Sequence, residues 1–143
     1  MHISELTDDY LDFTGKYARV LEGRSNEAPA IFKKGSKYFM ISSGCTGWKP
    51  NAARSAVAEH PLGPWVELDN PARGTKEDIE TTFRSQSTYV LPVKGKKDAY
   101  IYMGDRWTPD NAIDGRYIWL PIEFEEDKPI LTWHDEWDVK VFK

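Results

Sequence analysis

The sequence holds one cysteine, Cys45, which excludes an internal disulfide and a zinc site built on cysteines. Its three histidines, His2, His60 and His134, are too scattered to make a metal-ligand spacing, so neither a metal nor another cofactor is expected. No run of about 18 apolar residues occurs, which excludes a transmembrane helix, and no membrane partner is expected. The opening MHISELTDDYLDF lacks the basic-then-apolar order of an export signal, so these residues name no compartment. Long blocks of one charge are missing as well. The 19 Lys and Arg are interspersed among 23 Asp and Glu for a net charge of -4, which makes nucleic acid an unfavourable partner. Helical periodicity is also absent, because no window repeats apolar residues at i, i+3, i+4 and i+7 over three turns.

Aromatic residues are plentiful. Six Trp, seven Tyr and six Phe make up 13% of the 143 residues, a bias that favours β-structure and surfaces able to stack on flat apolar faces of a ligand. Short strand-like runs at 28–33, 37–43, 53–60 and 65–68 are bounded by Gly, Pro or Asn turn signals, and the same order returns at 87–93, 99–104, 117–124 and 130–133. EAPAIFKKGSKYFMISSG aligns with QSTYVLPVKGKKDAYIYMGD as a repeat of about sixty residues. A repeated four-stranded antiparallel unit is the blade of a β-propeller, whose first strand lines the central channel, so Glu27 and Gln86 are expected at one shared mouth. The expected fold is all-β, a partial propeller of two four-stranded blades at 25–70 and 86–143. A polar connector at 71–85, with a helical turn at 76–80, joins them. The remnant of a preceding blade lies at 1–24, with its outer hairpin over residues 7–20.

Four constellations carry candidate chemistry. Glu27 precedes a strand-opening proline, and the residues alone leave a channel-rim carboxylate and a solvated surface carboxylate about even. The loop Ser43-Gly44-Cys45-Thr46-Gly47-Trp48-Lys49-Pro50-Asn51 fits a sugar-contacting surface, with Thr46, Trp48 and Asn51 as contacts, and equally fits a Gly/Pro-rich turn anchored by Trp48. Cys45 has no base partner and is not expected to act as a nucleophile. Phe83-Arg84-Ser85-Gln86-Ser87-Thr88 and Met103-Gly104-Asp105-Arg106-Trp107 close the set. In the last of these, Asp105 and Trp107 are candidate ligand contacts, although Asp105 and Arg106 also fit a simple surface pair. Trp65, Trp119, Trp133 and Trp137 fall within or beside outer strands and are expected as core or blade-packing residues in preference to sugar platforms.

In order and spacing, RSNEAPAIFKKGSKYFMISSGCTGWKPNAARSAVAEHPLGPWVEL, TFRSQSTYVLPV and YIYMGDRWTPDN resemble the later blades of glycoside hydrolase family 43, in its exo-β-1,3-galactanase branch. The resemblance implies a five-bladed propeller and hydrolysis of β-1,3-galactan with inversion. It also implies that Glu27 is the general acid, Gln86 the residue holding the attacking water, and Thr46 a contact to the terminal galactose. The early blades, with the carboxylate that tunes the acid, have no counterpart in this sequence. The isolated chain is therefore expected to be inactive, its exposed blade edges open to pairing between copies, and the parent enzyme secreted or periplasmic. The competing expectation is a non-catalytic carbohydrate-binding or structural half-propeller that self-assembles.

Overall fold

The structure, a computed structural model, describes residues 1–142. It is all-β and mostly antiparallel, with one short α-helix. Strands β1 (His2–Leu6) and β2 (Phe13–Arg19) form a two-stranded hairpin, and β3 (Asn26–Lys34), β4 (Lys37–Gly44), β5 (Arg54–Ala58) and β6 (Val66–Glu67) form a four-stranded sheet in that order. The remaining strands are β7 (Ala72–Arg73), β8 (Gln86–Pro92), β9 (Tyr100–Arg106), β10 (Arg116–Glu125) and β11 (Lys128–Thr132). They make a five-stranded sheet ordered β7-β11-β10-β9-β8.

Two expectations are corrected. The first hairpin begins earlier than residues 7–20, because Thr7 to Asp12 is its turn, closed where Asp9 Oδ1 accepts the Leu11 N–H at 3.1 Å. The second sheet has five strands and not four. Part of the supposed connector is β7, which pairs parallel with β11 through Leu131 and Ala72, both fully buried, and so covers what would be an open sheet edge. The helical turn is present as α1 (Lys76–Thr81), held by a capping box in which the Thr75 and Asp78 side chains each bond the other's backbone N–H.

Turn chemistry sets the register of both sheets. Gly35, at φ +61°, and Ser36 form a two-residue loop that places Lys34 opposite Lys37, and the pairing runs regularly to Ala30 opposite Ile41. Between β10 and β11 the loop is Glu126-Asp127, both left-handed at φ 49° and 63°, as a type I′ turn requires. Alternation along β3 and β4 then puts Ala30, Phe32, Phe39 and Ile41 on one face, where they meet Val90, Tyr100, Tyr102, Ile118 and Leu120 of the second sheet in the main core. Burying each of the larger of these side chains stabilises the fold by about 1.5–3 kcal/mol. Phe32 lies 5.6 Å from Phe39 and 5.0 Å from Tyr100, whose hydroxyl donates to Lys33 O at 2.6 Å. The opposite face of the first sheet, at Ile31, Met40 and Ala56, is covered by the hairpin through Ile3, Ala18 and Val20.

The interface between the two large sheets therefore has two ends. At the hairpin end, Asp127 accepts from Lys34 at 3.1 Å and lies 3.5 Å from Lys37. At the other end stand Glu27 and Gln86.

Candidate functional site

Both inner strands are irregular where they approach this end. After Ala30–Ile41 the register of β3 and β4 slips by one, so Glu27 faces Ser43 across a β-bulge containing Ala28 at φ 51°. Side chains alternate with period two, so an unbroken strand would turn Glu27 away from the face that carries Ala30 and Phe32. The bulge returns it to that face. Strand β8 slips in the corresponding place, between Ser87 and Tyr89, and Gln86 pairs with Asp105. The two bulges are tied where Ser87 Oγ donates to Ala28 O at 2.6 Å.

This geometry brings Glu27 and Gln86 into contact from different sheets. Gln86 Nε2 donates to Glu27 Oε1 at 2.7 Å and to Ser43 Oγ at 2.6 Å. Both residues are half-buried, whereas Ser43 is buried. Neither amide hydrogen remains free, and the Gln86 Oε1 atom has no partner among the described residues. It is also no buried orphan, since among the described residues no buried side-chain nitrogen or oxygen lacks a hydrogen bond, so Oε1 is open to solvent.

Over this pair lies a cleft of about 310 Å³, lined by Glu27, Ala28, Gly47, Trp48, Gln86 and Trp107. A volume of this order suits one small ligand unit. Trp48 and Trp107 meet edge to face at 5.6 Å and 79°, and remain 65% and 37% exposed, so each offers a ring to an incoming molecule. A second depression, of about 320 Å³, shares Trp48 and Trp107 with the cleft and is further lined by Thr108, Pro109, Ala112 and Gly115.

Of the predicted site residues, Glu27, Gln86, Trp48 and Trp107 come together. Thr46, Asn51 and Asp105 are not among the cleft-lining side chains. Asn51 clamps the loop, accepting the Gly44 N–H at 2.8 Å and donating to Gly44 O at 2.9 Å and to Thr46 Oγ1 at 2.7 Å. Thr46 in turn donates to Lys49 O at 2.6 Å. The two residues thus shape the turn that presents Trp48. Asp105 stands across the ladder from Gln86, half-buried, with no hydrogen bond to its carboxylate among the described residues. Arg106 does not pair with Asp105. It donates to Phe83 O at 3.0 and 2.7 Å and stacks over Trp133 at 5.0 Å, and burial, with the Arg84 charge second, lowers its pKa. Trp119 and Trp133 are partly exposed and not enclosed between strands. Cys45 is exposed.

The support behind Gln86 is dense. Thr82, Phe83 and Arg84 are all left-handed, at φ 51°, 56° and 58°, an uncommon run that turns the chain sharply from α1 into β8. The buried Thr82 hydroxyl accepts the Ala53 N–H at 2.7 Å and donates to Asn51 O at 2.8 Å, which fixes this turn to the Trp48 loop. Ser85 Oγ donates to Thr82 O at 2.7 Å and lies 3.2 Å from the Tyr102 hydroxyl. Burial pushes the Tyr102 hydroxyl well above the usual phenol range. A Cβ on Gly104 would come within 2.8 Å of the Tyr102 ring and 2.9 Å of Ser85 Oγ. Sequence reasoning missed Ser43 and Ala28. The Gly35-Ser36 turn, counted back along the hairpin, brings Ser43 close to Glu27, but the bulge that completes the pairing has no sequence signal of its own.

Among the described residues no three His, Cys, Asp or Glu side chains gather as metal ligands, and no helix is long and apolar enough to cross a membrane. No protein-family model matches the chain, and neither does a curated protein. Solved structures do match. A family-43 β-1,3-galactosidase superposes with a TM-score of 0.93 at 45% identity over 99% of this chain and 29% of its own. A second, solved with galactodeoxynojirimycin, gives 0.90 at 50% identity over 96% and 39%. The exo-β-1,3-galactanase of Phanerochaete chrysosporium, solved with one glutamate replaced and β-1,3-galactotriose bound, gives 0.84 at 32% identity over 99% and 32%. The chain spans well under half the length of each. With its fold and up to half its residues shared along almost all of its length, the chain belongs to glycoside hydrolase family 43.

Proposed function

We propose that this chain is the later part of an inverting exo-β-1,3-galactanase and carries that enzyme's acid and its water-holding residue. The observation that supports this most is the 2.7 Å hydrogen bond joining Glu27 to Gln86 beneath a cleft walled by two tryptophans. In this reading the two large sheets are consecutive blades of a five-bladed propeller, at 25–70 and 86–143, the second also taking in β7 from the connecting segment 71–85, and preceded by the rest of a blade at 1–24. Glu27, carrying a proton in the reactive state, delivers it to the departing glycosidic oxygen. Gln86 holds the attacking water on its carbonyl oxygen, and water attacks the anomeric carbon from the face opposite the leaving group, its surplus proton passing to bulk water, from which Glu27 regains the proton it gave. Trp48 and Trp107 support the apolar face of the sugar. Thr46 and Asn51 hold their loop at the terminal galactose, and Asp105 accepts from a hydroxyl at the rim.

In inverting enzymes that use two carboxyl groups these stand about 6.5–9.5 Å apart, leaving room for the water, and this reading gives Glu27 and Gln86 a similar separation in the reactive state. The Glu27–Gln86 contact is thus the closed arrangement, and a sugar entering the cleft parts the two residues. An inverting site also needs groups from the earlier blades, so the 143-residue chain alone turns over no measurable β-1,3-galactan.

The test is to exchange the matched segment of the 45%-identical galactosidase for these residues and compare Glu27→Gln with the unmutated chimera. Loss of a general acid lowers kcat by roughly 10²–10⁴. The loss is large on β-1,3-galactobiose and small on an aryl galactoside whose leaving group needs no proton. A Glu27→Gln chimera within tenfold of its parent on galactobiose would falsify the acid assignment.

A further inference from the structure

The closed pair poses a problem that its own surroundings resolve. If a bound sugar takes Glu27 away from Gln86, the amide loses one of its two acceptors, and a glutamine left free rotates about its last torsion and presents nitrogen or oxygen to the cleft indiscriminately. Ser43 is the other acceptor. It receives the second Nε2 hydrogen at 2.6 Å, lies on β4, the neighbour of the inner strand β3, is only 4% exposed, and sits on the ladder opposite Glu27 and not on the bulge. Glu27 belongs to the irregular rim, next to left-handed Ala28, whereas Ser43 follows the fully buried Ile41 and Ser42.

We propose that Ser43 is a positioning residue that keeps the Gln86 amide nitrogen turned into the protein, and its carbonyl oxygen turned into the cleft, after substrate has drawn Glu27 away. The proposal rests on the reading of Gln86 as the water holder, but the holding itself is measurable without catalysis. Three features make Ser43 suited to the task. Its side chain has a single heavy-atom torsion and is buried, so its oxygen has few alternative positions. Its neighbours Gly44 and Asn51 are locked to each other by two hydrogen bonds. The next turn of the same wall is pinned where Ser87, beside Gln86, donates to Ala28 O and approaches Ile41 O at 3.4 Å. Ser43 touches neither sugar nor water in this scheme and acts only through Gln86.

The first measurement uses the 143-residue chain and follows hydrogen exchange of the Gln86 side-chain amide by NMR. In Glu27→Ala, which mimics the parted state, exchange stays within about threefold of wild type because Ser43 still holds the amide. In Glu27→Ala/Ser43→Ala it rises at least tenfold, while backbone amides of β3, β4 and β8 keep their shifts; Ser43→Thr in place of Ser43→Ala recovers most of the protection. Equal exchange in Glu27→Ala and in the double variant overturns the proposal, whatever Glu27 does chemically. The second measurement uses the galactosidase chimera described above. Ser43→Ala lowers kcat about tenfold with KM within twofold, and equally for galactobiose and for an activated aryl galactoside, because attack by water and not leaving-group protonation is impaired. A loss confined to galactobiose, or none, overturns the role. Failure of Glu27→Gln to discriminate between the two substrates would instead count against the acid reading alone.

Discussion

The two ends of the interface between the large sheets are built on opposite plans. At the hairpin end the strands are in regular register, the left-handed dihedrals are confined to hairpin turns, and the ties are the exposed Asp127 against part-buried Lys34 and exposed Lys37, with the Tyr100 hydroxyl on Lys33 O beside them. At the cleft end both inner strands slip by one residue, the left-handed positions Ala28, Thr82, Phe83 and Arg84 fall outside any hairpin turn, and the ties are buried hydroxyls at Ser43, Thr82, Ser85 and Ser87. Exposed ion pairs contribute little and tolerate change, whereas buried neutral hydrogen bonds are costly to leave half made. The structure thus concentrates its unusual geometry where two polar side chains must be aimed, and keeps the other end ordinary.

That contrast can be broken experimentally, beginning with the largest effect. Tyr102→Ala removes a fully buried ring behind Gly104 and its contact with Ser85, and is expected to cost about 3–5 kcal/mol of unfolding free energy in a urea titration. Thr82→Val keeps the shape but leaves the Ala53 N–H and Asn51 O without their partner, at a cost of about 2 kcal/mol. Ala28→Gly relieves a left-handed alanine and is expected to raise stability by up to about 1 kcal/mol, while loosening Glu27. The smallest effect belongs to the hairpin end: Asp127→Asn should leave the urea midpoint indistinguishable from wild type. A midpoint shift as large as that of Thr82→Val would erase the distinction between the ends.

Acid titration sharpens the same point. The hydrogen bond from Lys34 holds the Asp127 carboxyl below its ordinary range, and Lys128 does the same for Asp69. A carboxyl with a lowered folded-state pKa binds fewer protons folded than unfolded. Its contribution is complete above the ordinary carboxylate range of about pH 4 and is lost as pH falls through the lowered values. Unfolding followed from pH 6 to pH 2 should show a slight weakening below about pH 4, which Asp127→Asn reduces. A strengthening over that range would contradict the assignment.

Much of the architecture was legible in the sequence because its turns are chemically explicit. Gly35-Ser36, Lys94-Gly95 and Glu126-Asp127 mark hairpins, and the strands between them alternate or run apolar, so their limits lie within a few residues of those expected. Strand β7 escaped notice because two residues, Ala72 and Arg73, carry no period, and their pairing with β11 is nonlocal. At the site, the repeat brought out Glu27 and Gln86 together, since equivalent positions in neighbouring units face a common axis. The repeat could not reveal Ser43. Its role depends on a one-residue slip at Ala28, and a bulge leaves no period in the sequence. A surface pair of Asp105 and Arg106 was one open alternative, but alternation sends the arginine elsewhere, to Phe83 and Trp133.

Gly104 is a glycine of a particular kind. Its backbone lies outside the left-handed region, so what it supplies is room, in the 2.8–2.9 Å that a methyl group would have to share with Tyr102 and Ser85. Because Ser85 immediately precedes Gln86, any bulk added at position 104 would be transmitted as a displacement of the amide relative to the carboxylate. This residue serves as a spacer of zero thickness, and the tolerance of the whole Glu27–Gln86 pairing is set by a side chain that is not there.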